Sequence, residues 1–467
     1  MEVLGIILSL ALLMFFAYRG FSVILFAPVF ALLAASMQGL SVMPSYTELF
    51  MGKAVTYIKS FFPVFLLGAV FGKVMEDTGL AKSIAHAIVQ GLGKERAILS
   101  VVLAGLVLTY GGVSLFVVVF AVYPFACALF READIPKRLI PGCIALGAFT
   151  ITMTCIPGTP QIQNVIPANF YGTTIYAAPI TGLFASVGIL GLGLAWLEYR
   201  RKQAAAAGEG YGNHTLNEPE VKDYSDLPPW QLACLPLLAV LVINYIMTNM
   251  VAWDPDILKS FQAMKLPLVA PAVKNVLGIW ALIIALVCGI VLAVAIGYKR
   301  LPAGGGLAKS LNAGAIGSLL AIMNTASEVG YGNVIASLPG FKAIANFLLS
   351  IKIGGTPLVS EAVTVNVLAG ITGSASGGMS IALDLMAKDW LAWANSVGLS
   401  PELLHRIASI ASGGLDTLPH NGAVITLLAV CGLTHKESYL DIFMVATLIT
   451  VTMGFVAILF HAVTGLV

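Results

Sequence analysis

The feature that most limits what this chain can fold into is the recurrence of apolar stretches of about 20 residues, the length a helix needs to cross a bilayer core. Uninterrupted ones run near 2–18, 20–38, 181–199, 230–249, 275–297 and 438–460. Between them lie segments that are apolar overall but broken by Gly, Pro and small polar residues: 61–93, 97–130, 139–178, 307–351, 357–387 and 404–432. Charged residues make up only 10% of the chain, against roughly 25% in soluble domains. The bilayer is therefore the expected solvent, and the expected fold class is an all-α polytopic membrane protein. A broken helix in lipid leaves backbone N–H and C=O groups unpaired, which is tolerable only inside protein or beside a wet cavity. Function is thus expected at the breaks.

Several classes of function fall away early. A net charge of +2 with no basic run gives no footing for a nucleic-acid partner. The first segment lacks a basic n-region and a small-residue cleavage site, so it reads as a retained span. The six cysteines lack Cys-x-x-Cys spacing and sit in or beside apolar runs, which predicts reduced, buried thiols. No metal site and no cofactor are expected. Gly112-Val113-Ser114 with a distant His420 suggests a Ser–His dyad. The second glycine of a Gly-x-Ser-x-Gly turn is missing, however, and His-Glu-x-x-His is absent, so an enzyme is not expected. A passive channel is also disfavoured, because paired broken helices suit a closed midplane site.

The two halves resemble each other. Gly79-Leu80-Ala81-Lys82-Ser83 has a counterpart in Gly340-Phe341-Lys342-Ala343-Ile344. A first break follows at Tyr110-Gly111-Gly112-Val113-Ser114 and at Gly373-Ser374-Ala375-Ser376-Gly377-Gly378. A second follows at Cys155-Ile156-Pro157-Gly158-Thr159-Pro160-Gln161 and at Gly413 to Asn421. Matched, interrupted segments are the best sequence pointer to a transporter's binding site. The organisation expected is N-terminal spans over 1–60, a first repeat over 61–199, a polar flexible linker over 200–229, connecting spans over 230–304 and a second repeat over 305–467. Placing Arg19, Arg131, Lys137, Arg138, Arg200-Arg201-Lys202 and Lys299-Arg300 together on the cytoplasmic side makes the repeat inverted. It gives about ten spans, both termini outside, and re-entrant hairpins at 61–93 and 307–351.

The breaks carry the chemistry. A carboxylate leaving water needs fixed donors, which the N–H groups of a half-helix start supply. Gly111, Gly112 and Gly377 let backbone approach a ligand, and Ser114, Ser374 and Ser376 add hydroxyls. Small residues at helix contacts are the alternative account. Gln161, Gln163 and Asn164 are placed to read a ligand hydroxyl, and Thr159 and Asn421 join the expected substrate-binding set. Asp416 and His420, an ionisable pair inside an apolar stretch, suit proton coupling. Glu328, at the expected tip of the second hairpin, joins them. Glu361 and Asp384 read as snorkelling or helix-start residues, Glu76 as solvated, and Tyr110 and Tyr331 as packing or gating.

With these breaks the chain resembles the gluconate:proton symporter (GntP) family of the ion transporter superfamily. The likeness runs through Leu66 to Met75, Pro157-Gly158-Thr159-Pro160, Gly370 to Met379 and Ser409 to Gly422. It implies a proton-coupled transporter of sugar acids and related hydroxy acids in a bacterial inner membrane. By analogy with the superfamily it also implies two hairpins, two unwound helices and an elevator-like movement in a homodimer. The chain departs where gluconate members carry a Tyr-Glu-Val-Gly type stretch and a His-Pro-Gly-Pro stretch. Here these positions read Tyr110-Gly111-Gly112-Val113 and Ile156-Pro157-Gly158-Thr159-Pro160. Each hydroxyl of a polyhydroxylated ligand needs a partner once desolvated, so the resemblance leans to the 3-hydroxybutyrate permease branch. The expected cargo is a short hydroxy-monocarboxylate moved with H⁺. Gluconate, or coupling to Na⁺, is the alternative.

Overall fold

The structure is a computed structural model that describes residues 2–19, 21–113, 115–218, 227–301, 306–419 and 421–467. Among these residues the regular structure is helical. Helices α1 (Glu2–Tyr18) and α2 (Val23–Met37) form an N-terminal pair. The first half then runs α3 (Val42–Asp77), α4 (Leu80–Leu92), α5 (Ala97–Tyr110), α6 (Leu115–Glu132), α7 (140–154), α8 (Ile162–Tyr171) and α9 (Pro179–Ala206). Two apolar connecting helices follow, α10 (Trp230–Asn249) and α11 (Leu277–Gly297).

The second half repeats the series: α12 (Gly306–Ala336), α13 (Phe341–Leu349), α14 (Leu358–Thr372), α15 (Ala375–Ser396), α16 (Pro401–Ser412), α17 (Gly422–Cys431) and α18 (His435–Thr464). Starts of matched helices such as α5 and α14, or α8 and α17, differ by 260 or 261 residues. Among the described residues six helices are long and apolar enough to cross a membrane by length and composition: α3, α9, α10, α12, α18 and the helix around α11.

Contacts at the helix ends show how the halves are related. The Glu132 carboxylate at the end of α6 pairs with Lys94 just before α5, at 3.4 Å. Trp390 on α15 donates to Ser360 on α14 at 3.1 Å. Thus α5–α6 and α14–α15 are helical hairpins whose tips, near 111–113 and 373–374, end inside the molecule. The base of the first lies with Arg138, Arg200 and the end of α9, because Glu209 pairs with Arg138 at 2.6 Å and Arg200 with Asp441 at 2.9 Å. The base of the second lies with the end of α8, where Tyr171 bonds Glu361 and Glu402 accepts from the Ala178 N–H at 3.2 Å.

Helix α9 leads from the latter place to the former. Its 28 residues span about 42 Å at roughly 1.5 Å per residue, more than the bilayer core of about 30 Å. The bases of the two hairpins therefore lie at opposite ends of α9, and the two halves run inverted relative to each other.

This corrects the hairpin assignment. Residues 307–351 are a continuous 31-residue α12 followed by the short α13, and Glu328 lies within α12 rather than at a tip. Residues 61–93 are the second part of α3, a turn at Thr78–Gly79, and α4. The glycines that suggest a break in α12 serve packing instead. A Cβ on Gly332 would lie 2.8 Å from the Ile381 side chain, and one on Gly330 would lie 2.8 Å from the Phe50 carbonyl.

The expected flexible linker is also ordered over much of its described length. Residues 200–206 continue α9. Beyond them the chain is strapped to the arginine-rich face: Tyr211 is buried, and the Tyr211 N–H donates to Asp134 at 2.9 Å. Glu218 pairs with the fully buried Lys137 at 2.6 Å and with Arg131. Asn217 donates to the Ala429 carbonyl at 2.7 Å.

Candidate binding site between four helix starts

A cavity of about 640 Å³ lies where the two hairpin tips and the two other breaks meet. Four helices begin at its wall. Gly112 and Leu115 bring the start of α6, Gln161 and Ile162 that of α8, Ser374 and Ala375 that of α15, and Asn421 and Gly422 that of α17. Each start presents unpaired N–H groups and the positive end of a helix dipole. Gly112 makes the first tip possible: its φ of +92° is open to glycine and strained for other residues.

The ends are arranged alike in the two halves. In the first, the Gln161 side-chain amide donates to the Thr109 carbonyl at 2.8 Å, which fastens α8 to the α5–α6 tip. In the second, the Asn421 amide donates to the Gly373 carbonyl at 2.9 Å, which fastens α17 to the α14–α15 tip. Capping differs. The Asn421 carbonyl oxygen accepts from the Ala423 and Val424 N–H groups at 2.7 and 2.9 Å, and the Ser374 hydroxyl accepts from the Gly377 N–H at 3.1 Å. At α8 no side chain caps the first turn.

Two carboxyl groups line the cavity, Glu328 from α12 and Asp416 from the last break. Both residues are buried, at 3% and 4% exposure, and each has one oxygen without a hydrogen-bond partner, Oε2 and Oδ1 respectively. Among the described lining residues there is no Lys, Arg or His. The rest of the wall is largely apolar, including Val64, Phe65, Leu115, Phe149, Met153 and Leu286, with Gln163, Ser318, Asn324 and Thr325 among the polar exceptions. An anion entering this space would meet backbone dipoles rather than a cation.

Residues 1–464 match the family model of the GntP family permeases. The chain belongs to that family. It is 51% identical over 484 residues to the uncharacterized transporter YxjC of Bacillus subtilis, with all of both chains covered. It is 33% identical over 127 residues to a high-affinity gluconate transporter of Escherichia coli, 27% of each chain. The fold resembles the crystal structure of the Alcanivorax borkumensis YdaH transporter, with a TM-score of 0.57 at 15% identity, over 94% of this chain and 97% of that one. The protein is thus a multi-pass membrane permease of the GntP family.

The residues singled out from the sequence divide into two groups in this permease. Gly112, Gln161, Glu328, Ser374, Ser376, Asp416 and Asn421 line the one cavity. Ser114 and His420 lie outside the described residues. Gly111 is set against Leu237 of α10. Gly377 is covered by the Glu328 carboxyl. Thr159 and Asn164 are fully buried behind the cavity wall. The Asn164 amide donates to the Thr159 and Ile175 carbonyls at 2.9 and 2.8 Å, and its oxygen accepts from Arg406 at 2.9 Å.

Arg406 escaped the sequence reading. It is fully buried, and its guanidinium donates to the carbonyls of Thr154, Ile175 and Ala177 and to Asn164. It thereby clasps α16 of the second half to both flanks of α8 in the first. An arginine inside the apolar run 404–432 was the available signal. Glu361 does not snorkel and is a helix-start residue: it stands in the first turn of α14, fully buried, with one oxygen on the Tyr171 hydroxyl and the other without a partner. Asp384 lies mid-helix and pairs with Lys53 at 2.9 Å. Tyr331 packs with its hydroxyl 2.9 Å from that of Ser9.

Proposed function

We propose that this permease is a secondary active transporter of a small hydroxy-carboxylate, coupled to protons. One observation carries the reading: four helix starts and two incompletely bonded carboxyl groups share one cavity whose described lining holds no cation. Oriented N–H groups supply the partial positive charge that a desolvated carboxylate needs. Two buried acids supply places for a coupling proton. The uncapped start of α8, with Gln161 and Gln163 beside it, receives the ligand's hydroxyl in this reading. Ser374 and Ser376, at the start of α15, hold the carboxylate, Asn421 completes the polar side, and Asp416, with His420 and Glu328, handles the coupling proton.

The apolar share of the wall favours a short hydroxy-monocarboxylate such as 3-hydroxybutyrate over a polyhydroxylated acid, since each buried hydroxyl would need a partner. The gluconate reading is kept by the Escherichia coli relative named for that substrate. Movement would be elevator-like, in a homodimer, in the bacterial inner membrane, with the face holding Arg131, Lys137, Arg138 and Arg200 cytoplasmic by the excess of positive charge.

Uptake of radiolabelled 3-hydroxybutyrate and gluconate into proteoliposomes, under a proton gradient without sodium, tests the reading. Accumulation of 3-hydroxybutyrate alone, abolished by a protonophore, is the expected result. Gluconate accumulation would move the substrate to the sugar acids. Dependence on a sodium gradient would replace the proton.

A further inference from the structure

Resting on that reading, the geometry at α15 assigns a specific part to Glu328. We propose that the Glu328 carboxylate is a tethered stand-in for the substrate's carboxylate: it rests on the first turn of α15 when the cavity is vacant, and it must take up a proton before substrate can replace it.

The case is geometric. Gly377 is the third residue of α15. A Cβ built on it would collide with Glu328 Oε2, with the Glu328 carboxyl carbon 2.6 Å away and the Ser374 hydroxyl at 3.0 Å. The absence of a side chain at 377 is therefore what lets the Glu328 carboxyl lie on the start of the helix. That carboxyl is at once buried, on the cavity wall and without a hydrogen-bond partner at Oε2. A group built only for structure would be expected to have both oxygens satisfied.

Glu328 also comes from a different element than the start it covers. It stands on α12, which packs on α3 and α2, while α15 belongs to the hairpin. The groups facing it are few. Tyr57 on α3 is close enough to feel its charge. The Lys53–Asp384 pair spans α3 and α15, Asp416 shares the cavity, and α2 carries no ionisable residue.

The consequence is a coupling rule. With Glu328 ionised, a second carboxylate at the same helix start faces like charge in a poorly screened site. With a proton on Glu328 that opposition disappears and the substrate anion takes its place. When the proton leaves on the other side, the carboxylate reclaims the helix start and expels the cargo. One proton binds to one carboxylate oxygen and no other bond changes. Substrate and proton then travel together because either alone is disfavoured.

The experiment measures binding of 3-hydroxybutyrate and gluconate to the purified full-length protein by calorimetry in two buffers of different ionisation heat, across pH, for the wild type and Glu328→Gln. The wild type is expected to take up a proton with each substrate bound. Its Kd should rise about tenfold per pH unit on the alkaline side, the signature of one linked proton. Glu328→Gln is expected to lose one proton of that uptake and to bind at high pH as tightly as at low pH. Asp416→Asn, measured alongside, should leave the Glu328-linked proton in place. Equal proton uptake by wild type and Glu328→Gln overturns the proposal while leaving the carboxylate reading intact. Absence of binding of either acid by the wild type removes the carboxylate reading, and this proposal with it.

Discussion

The two halves of this permease share a backbone plan and differ in what they hang on it. In the first half the α5–α6 tip is Gly111-Gly112-Val113, and α8 starts with no side-chain cap. In the second, Ser374 and Asn421 cap α15 and α17, and Glu328 and Asp416 stand over the breaks. The corresponding places in the first half are Leu67–Gly68 and the Ile156–Gly158 turn, with no carboxylate in either. Among the described residues the first half thus leaves the start of α8 uncapped, while the second covers both of its starts with its own side chains. On the function proposed above, an inverted repeat supplies symmetric access, and departures from symmetry place the acids that would handle a proton in the second half alone.

The comparison breaks most readily at Asp416. Asp416→Asn should abolish uphill accumulation in proteoliposomes while substrate exchange persists; preserved accumulation would remove Asp416 from proton handling and leave it to Glu328. Next in size is Arg406, which fastens the halves together. Arg406→Met leaves several buried carbonyls without a donor and is expected to cost at least about 3 kcal/mol, read as a fall in melting temperature in detergent.

The matched pair Gln161 and Asn421 sharpens the contrast. Asn421→Ala removes two cap bonds and should cost about 1–2 kcal/mol of stability. Gln161→Ala should change the melting temperature less and raise KM about tenfold, the size of a lost hydrogen bond of about 1.4 kcal/mol. Equal profiles for the two would dissolve the distinction between an open and a covered half.

The smallest effect concerns the strap on the arginine-rich face. Hydrogen bonding to Arg138 and its charge hold the Glu209 carboxyl below the usual carboxylate range. Burial would raise Glu218, but the bonds and charge of Lys137, with Tyr211 and Arg131, outweigh it, so it too lies low. Groups depressed on folding stabilise above their ordinary pKa, and that contribution is lost as pH falls through the lowered value. Limited proteolysis after Arg201 and Lys202 should therefore be slow at neutral pH and quicken only in acid. Glu209 is substantially exposed, so the change should be modest.

Much of the site was legible because a membrane protein cannot hide a broken helix. Gly, Pro and small polar residues in matched positions named all four starts. The hairpins were misplaced because a glycine in an apolar run marks either a turn or a close contact. In α12 the deciding neighbours are distant in sequence: Phe50 against Gly330 and Ile381 against Gly332. Asn164 has the composition of a ligand-reading residue and lies three positions beyond Gln161. Its partner Arg406 stands 242 residues away, a relation no local pattern carries. The helix-start reading of Glu361 holds, but its contact with Tyr171 was not legible for the same reason, since Tyr171 belongs to the other half.

The fastening of the tips bears on how the molecule can move. Gln161 and Asn421 lash each hairpin to the broken helix beside it, and Arg406 lashes α16 to the other half. The four helix starts are then parts of one rigid cradle, and no single hairpin is free to swing as a door. Glu328 alone of the two cavity acids rides outside that cradle, on α12. Any sliding of the cradle along α12 must draw the helix start away from its glutamate, so geometry couples translation of the cargo to separation of a charge from its seat. On the elevator-like, proton-coupled function proposed above, stroke length and proton chemistry are one variable: a tether that arrested the cradle, such as a cross-link between positions 332 and 381, would silence both together.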